Sequence, residues 1–147
     1  MEIKIRKVIK PKTMGRLREF LPGHDLRGHY YCAIIDGNIV GCVGVRKASW
    51  FLTEIYHVYV SDEYRNQRIG NHLVQAAIDA SKTPLVSATV RENNTHSMKL
   101  FSRLKFRVAQ CFQNEGHYVF LLIRKKDVDG HGDQGAIEIN EKTTIVS

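Results

Sequence analysis

No apolar run in the 147-residue sequence approaches the roughly 18 to 20 residues that a membrane-spanning helix needs, so a helical membrane protein is excluded. The opening "MEIKIRKVIK" alternates charge with Ile and Val, which is not the pattern of a signal peptide. Cysteine is scarce: Cys32, Cys42 and Cys111 show no CxxC spacing. Without a secretory signal they are expected to be reduced thiols of a cytoplasmic protein. The seven histidines are scattered without metal-ligand spacing, so no metal is expected. No internal repeat is visible. What is present is an ordinary globular composition, 43 % hydrophobic, in a chain long enough for one domain with a real core.

Acidic residues are unevenly spread. The net charge is +7, but residues 127 to 147 carry five acids and one lysine, which leaves +11 on residues 1 to 126. A basic body favours polyanionic ligands such as a nucleotide cofactor, nucleic acid or an acidic surface. A solvated basic face accounts for the charge equally well.

Hydrophobic periodicity divides the chain into ten elements. "MEIKIRKVI" alternates as a half-buried strand, and "PKTMGRLREFL" is a short helix bounded by Pro11 and Pro22-Gly23. "YYCAIIDGNIVGCVGVRK" is a hairpin around Asp36-Gly37-Asn38, and "FLTEIYHVYV" is a strand rich in aromatic and β-branched residues. A helix follows, in which Ile69, Leu73, Ala76 or Ala77, and Ala80 form the buried face. "TPLVSATV" reads as a strand, "NTHSMKLFSRLKF" as a helix capped by Asn94 or Thr95, and "RVAQCF" with "YVFLLIR" as a closing strand pair. The order β-α-β-β-β-α-β-α-β-β predicts an α/β domain with a mixed sheet over residues 1–126. Residues 127–147 read as an acidic, glycine-rich tail whose "AIEINEKTTIVS" is able to pair as a strand, even on a second subunit, so a homodimer is admitted.

The chemistry concentrates in "EYRNQRIGNHLVQAAIDA". A strand that enters a tight turn and then a helix aims backbone N–H groups at one point, with the helix dipole behind them. Arg65 and Arg68 add two charges there, and Gly70 lets a ligand approach without a Cβ in the way. These parts suit a diphosphate. They also suit a plain turn with solvated arginines, and a single glycine is a weak signal.

The surroundings decide between the two. Arg65-Asn66-Gln67-Arg68-Ile69-Gly70 resembles the acetyl-CoA-binding motif of the GNAT family of N-acetyltransferases, Arg/Gln-x-x-Gly-x-Gly/Ala. "NTHSMKLFSRLKF" resembles the family's second motif at Asn94, Leu100 and Phe106, with Ser97, Phe101 and Lys105 substituted. "DGNIVGCVGV" resembles its Gly-x-x-Val-Gly hairpin, and the element order fits from residue 2 to about 124. The resemblance implies a single GNAT-type domain, a mixed central β-sheet flanked by helices, with acetyl-CoA as co-substrate. It implies that the fourth strand splays from the next, so that Val58, Tyr59 and Val60 bond the pantetheine arm. The loop from Arg65 through Asn66, Gln67, Arg68, Ile69 and Gly70 to Asn71 would hold the pyrophosphate. Asn94, Ser97 and Phe101 would complete the cofactor site. Arg68 stands where the family has its first glycine, and Phe101 stands where it often has an acid tyrosine. The short first helical region implies an open acceptor side.

The reaction the resemblance implies is direct attack of a primary amine on the thioester. An amine of lysine type, with a reference pKa near roughly 10.4, gains from a base. Glu54 matches the catalytic glutamate of the histone-acetylating branch; the alternative is an ion pair with Arg46 or Lys47. His57 is the second candidate, and simple alternation would put it on the opposite strand face from Glu54. The basic body favours an acceptor on an acidic partner such as nucleic acid. Two further readings stand beside the enzyme: a non-catalytic acyl-CoA-binding protein, and a nucleic-acid binder using Arg65, Arg68, Arg103, Lys105 and Arg107.

Overall fold

Seven strands form one sheet in the order β1-β2-β3-β4-β5-β7-β6, and the computed structural model describes residues 2–126 of the chain. The acidic tail expected over 127–147 lies outside the described residues. The elements are β1 Lys4–Lys7, α1 Pro11–Phe20, β2 His29–Ile35, β3 Asn38–Lys47, β4 Leu52–Val60, α2 Ile69–Ala80, β5 Leu85–Arg91, α3 Thr95–Arg103, β6 Arg107–Asn114 and β7 His117–Lys125. This is the order read from the sequence. A single 3₁₀ turn, Asp62–Tyr64, lies between β4 and α2.

Each boundary has a local cause. Pro11 starts α1, where a missing N–H costs nothing. Asp36 and Gly37 turn the β2–β3 hairpin with φ of +49° and +80°. Asn94 caps α3, its side chain accepting from the Ser97 N–H at 3.1 Å. Neighbouring strands are antiparallel except β4 and β5, which run parallel with α2 as the crossover between them.

Strand alternation divides the side chains into two cores. Ala33, Val43, Val45, Ile55, Val86, Ala88 and Leu122 meet α2 and α3 on one face. Tyr30, Cys32 and Cys42 meet Leu17 and Leu21 of the α1 region on the other. The buried face of α2 is wider than the periodicity alone indicated. Val74 and Ile78 are buried with Ile69, Leu73 and Ala77, because the helix lies across strands β2, β3 and β4.

A buried knot of hydroxyls ties the C-terminal end of α2 to the start of β4. Thr53 Oγ1 and Thr83 Oγ1 are 2.7 Å apart, Ser81 Oγ donates to Thr53 at 2.9 Å, and Thr83 donates to the Leu85 carbonyl at 2.8 Å. All three side chains are buried. Replacing Thr83 by Val keeps the shape but strands its partners, so Thr83→Val is expected to cost about 1 to 3 kcal/mol. Urea unfolding of the variant beside the parent chain measures it.

Candidate active site

Two backbone irregularities in β4 make the site. The first is where its pairing with β5 stops. Leu52 through Ile55 pair with Leu85 through Ala88, and there the ladder ends, although β4 runs on to Val60 and β5 to Arg91. From Thr89 to Arg91 β5 stays paired with β7 alone. The strands therefore part, and the β5-facing edge of Tyr56 to Val60 has no strand partner.

The second is a β-bulge. On the β3 side Gly44 pairs with Tyr56 and Cys42 with Tyr59, so His57 and Val58 together oppose Val43. His57 takes the extra position with φ of +49°, a left-handed conformation that costs a non-glycine residue about 1 to 2 kcal/mol.

The parted strands open into a cleft of about 620 Å³. One wall is the end of β4, with Val58, Tyr59 and Val60. The floor is the turn into α2, with Tyr64, Arg65, Asn66, Arg68, Ile69, Gly70 and Asn71. The second wall is α3, with Asn94, Ser97 and Leu100, and with His96, Lys99 and Arg103. The charged groups among these residues are all basic.

The N-terminus of α2 is open to this cleft. The first intrahelical bond runs from the His72 N–H to the Arg68 carbonyl at 3.1 Å, so the N–H groups of Ile69, Gly70 and Asn71 have no helical acceptor. Arg68 occupies the N-cap, and its side chain makes no capping bond. It holds φ of +61°, and Asn66 holds +66°. The left-handed bend at 68 is the physical reason a glycine suits this position. By contrast, the N-terminus of α3 on the facing wall is capped by Asn94.

The two arginines are held differently. Arg65 Nε donates to the Val60 carbonyl at 3.3 Å, its guanidinium reaches Asp62 at 3.0 Å and it lies over the Tyr59 ring. Among the described residues Arg68 makes no ion pair or side-chain hydrogen bond. Gly70 has a packing reason that the motif did not reveal: a Cβ there would come within 2.9 Å of Leu100 Cδ1 on α3. A Cβ at residue 70 would press on Leu100, which lines the α3 wall of the same cleft.

Of the residues read from the sequence, Val58, Tyr59, Val60, Arg65, Asn66, Arg68, Ile69, Gly70, Asn71, Asn94 and Ser97 line this cleft, while Gln67 does not. Phe101 does not line it either. It is 3 % exposed and packs edge-on against Phe106 with centroids 5.0 Å apart, so its place on the cofactor's edge is corrected to a place in the core. Of the five residues of the nucleic-acid reading, Arg65, Arg68 and Arg103 share the cleft, whereas Lys105 and Arg107 do not. The sequence reading missed Tyr64, His96 and Lys99 as lining residues. The i, i+3 and i+7 spacing of His96, Lys99 and Arg103 on one helix face was the available signal.

Glu54 and His57 lie outside the cleft, and the expected opposition of their faces is corrected. The bulge breaks the alternation, so the His57 ring meets both Tyr56, at 5.0 Å, and Tyr30, at 6.1 Å. Tyr56 is two residues from Glu54 and shares its face, so all three belong to the α1 side of the sheet. Glu54 still lies in the paired part of β4 and meets Arg46 of β3 at 2.6 Å, the ion pair weighed as its alternative. His57 lies in the parted segment, and its Nδ1 is 2.8 Å from the Tyr30 hydroxyl. Burial and the neighbouring His24 hold the His57 pKa below its ordinary 6.5.

A mixed sheet parted between two parallel strands, with an uncapped basic helix N-terminus at the opening, defines a fold built to hold an extended anionic ligand. The sequence profile described as "Acetyltransferase (GNAT) family" matches residues 4–106, and the chain belongs to that family. No curated protein matches it in sequence. Among solved structures it resembles the ribosomal-protein-S18-alanine N-acetyltransferase of Escherichia coli at TM-score 0.72 and 13 % identity, over 89 % of this chain and 98 % of that one. It resembles Ard1 of Thermoplasma volcanium at TM-score 0.71 and 15 % identity, over 87 % and 100 %. A GNAT family acetyltransferase from Elizabethkingia anophelis, with acetyl-CoA bound, matches at TM-score 0.64 and 19 % identity, over 84 % and 97 %. At these identities the likeness is one of fold.

The placement of Phe101 has a direct test. Phe101→Tyr puts a hydroxyl into an apolar core without a partner and is expected to lower stability by about 1 to 3 kcal/mol. Denaturant melts of both proteins check this; an unchanged midpoint would mean that the ring edge reaches the cleft.

Proposed function

We propose that the protein is an N-acetyltransferase that moves the acetyl group of acetyl-CoA to a primary amine by direct attack. The single observation that carries this reading is the continuity of one open cleft from an unpaired β4 edge to an uncapped basic helix N-terminus. Family membership and the acetyl-CoA bound to the Elizabethkingia anophelis protein support the choice of ligand. The unpaired edge suits the amides of a pantetheine arm. The free N–H groups of Ile69, Gly70 and Asn71, with Arg68, suit a pyrophosphate. Asn94 spends its side-chain oxygen on the Ser97 N–H and keeps its amide N–H groups for the ligand.

His57 is the base in this reading. It lies in the parted segment of β4, where the acyl end would emerge, whereas Glu54 lies before the opening and is engaged by Arg46. His57 Nε2 takes a proton from the acceptor ammonium. The amine lone pair then adds to the thioester carbonyl carbon, and the carbon–sulfur bond breaks. The departing thiolate takes the proton from His57, and the second amine proton goes to water. The products are an amide, CoA with its thiol restored and one released proton. A backbone N–H of the parted strand polarises the carbonyl. With eleven net positive charges on the body, an acceptor carried by an acidic partner is favoured.

The cofactor half is tested without an acceptor. Acetyl-CoA at 100 times its dissociation constant adds about 2.7 kcal/mol of stability, seen as a raised melting temperature. Gly70→Val is expected to weaken binding at least about tenfold, roughly 1.4 kcal/mol, by closing the cleft against Leu100. Arg68→Gly is expected to weaken binding as well, since the guanidinium is lost while the bend is relieved. Titration calorimetry on the folded variants reads both, and no thermal shift with either acetyl-CoA or CoA removes the cofactor assignment.

The chemical half needs labelled acetyl-CoA and a panel of amines: lysine, a polyamine and short peptides with free N-termini. His57→Gln is expected to lower turnover by roughly 10²- to 10⁴-fold with cofactor affinity kept. Glu54→Gln should change it by less than about threefold, since an exposed pair is worth little. Turnover falls as pH drops through the His57 pKa, which lies below 6.5, because protonation removes the base. The opposite ranking of the two variants would give the base role to Glu54.

A further inference from the structure

Tyr30 heads the fully buried side chains in size, yet its hydroxyl serves a half-buried histidine on another strand. The rings of Tyr30 and His57 are close to parallel, 19° apart in plane. Tyr56 stands edge-on to His57 from the same strand, and His24 stands edge-on from the loop after α1, each with centroids 5.0 Å away. Asp25 beside His24 adds its negative field to the imidazole. The backbone is fixed too, since the Cys42 thiol donates to the His57 carbonyl at 3.4 Å. His57 therefore sits strained on a bulge and held by the side chains of Tyr30, Cys42, Tyr56 and His24, from three strands and one loop. Strain of this kind persists where the surroundings over-determine it, and such sites are often functional.

We propose that Tyr30 is a positioning residue for His57: its hydroxyl oxygen accepts from Nδ1–H, which fixes the tautomer whose Nε2 carries the free lone pair. The inference rests on the reading of His57 as base, and only this tautomer serves that role. If the Tyr30 hydroxyl donated instead, Nε2 would carry hydrogen and could take no proton. The Tyr30 proton has another destination. Tyr56 stands edge-on to Tyr30 with ring centroids 5.8 Å apart, and its buried Oη has no hydrogen-bond partner. Turned towards the Tyr56 side and away from His57, the Tyr30 O–H leaves an oxygen lone pair for Nδ1–H. The arrangement also depends on two glycines that give Tyr56 its slot. A Cβ on Gly28 would fall 2.5 Å from the Tyr56 hydroxyl, and one on Gly44 2.6 Å from its ring.

The tautomer is observable in the whole protein without substrate. Two-bond ¹H–¹⁵N correlation spectra at a pH above the His57 transition are expected to show Nδ1 protonated and Nε2 bare, and in Tyr30→Phe a shift towards Nε2–H. Tyr30→Phe is also expected to lower turnover on the best amine of the panel by roughly 10- to 100-fold, the scale on which misplacing a catalytic group acts. Acetyl-CoA affinity should be unchanged. The acidic inflection of the rate should move to lower pH, because the imidazolium loses the acceptor for its Nδ1–H. A bare Nδ1 in the parent protein overturns the proposal, as does a Tyr30→Phe variant with the parent's rate and pH profile. Should His57→Gln retain turnover while the tautomer is as expected, the base assignment falls and the Tyr30–His57 hydrogen bond stands as a structural one.

Discussion

Most of the site depends on one failure of pairing. A parallel ladder between β4 and β5 that continued to Val60 would satisfy every backbone group on that edge and leave nothing to offer a ligand. It stops after Ile55, because β5 stays with β7 while β4 stays with β3. The unsatisfied edge is tolerated because it faces a cleft open to solvent. The same parting brings the N-terminus of α2 and the inner face of α3 to the two sides of the opening.

The bulge at His57 is the second consequence of β4 following β3. It increases local twist, which helps to carry the strand away from β5. It also puts two consecutive side chains, Tyr56 and His57, on the α1 side, so a polar cluster of Tyr30, Tyr56, His57 and His24 forms where alternation allows only every second residue. Val58 and Val60 return to the other side and pack with the larger core. The two sides of the opening thus differ in chemistry: basic and helix-lined on one, aromatic and titratable on the other. That division suits a reaction in which an anionic donor and an amine acceptor enter from opposite faces.

Electrostatics and strain meet at Arg68. A glycine would take its left-handed conformation at no cost, and the arginine accepts a cost of about 1 to 2 kcal/mol to put a cation there. Arg65 is the more structural of the pair, tied to Val60 and Asp62 so that it locks the turn to the strand end. The division of labour between two nearby arginines is invisible in the motif they share.

Element order and most cleft residues were legible in the sequence, because they depend on interactions near in the chain: the alternation of β2 and β3, the Asp36-Gly37 turn, the Asn94 cap, and the strand–turn–helix that aims N–H groups forward. Three decisions belonged to the tertiary structure. Phe101 belongs to the core because the α3 face that meets Phe106 is set by the packing of the helix, while the motif records only its spacing. The side chain that a Cβ at Gly70 would press on is Leu100, thirty residues away in sequence. The face of His57 is set by the register between β3 and β4, and a register shift of one residue overrides the two-residue period that any strand shows when read alone.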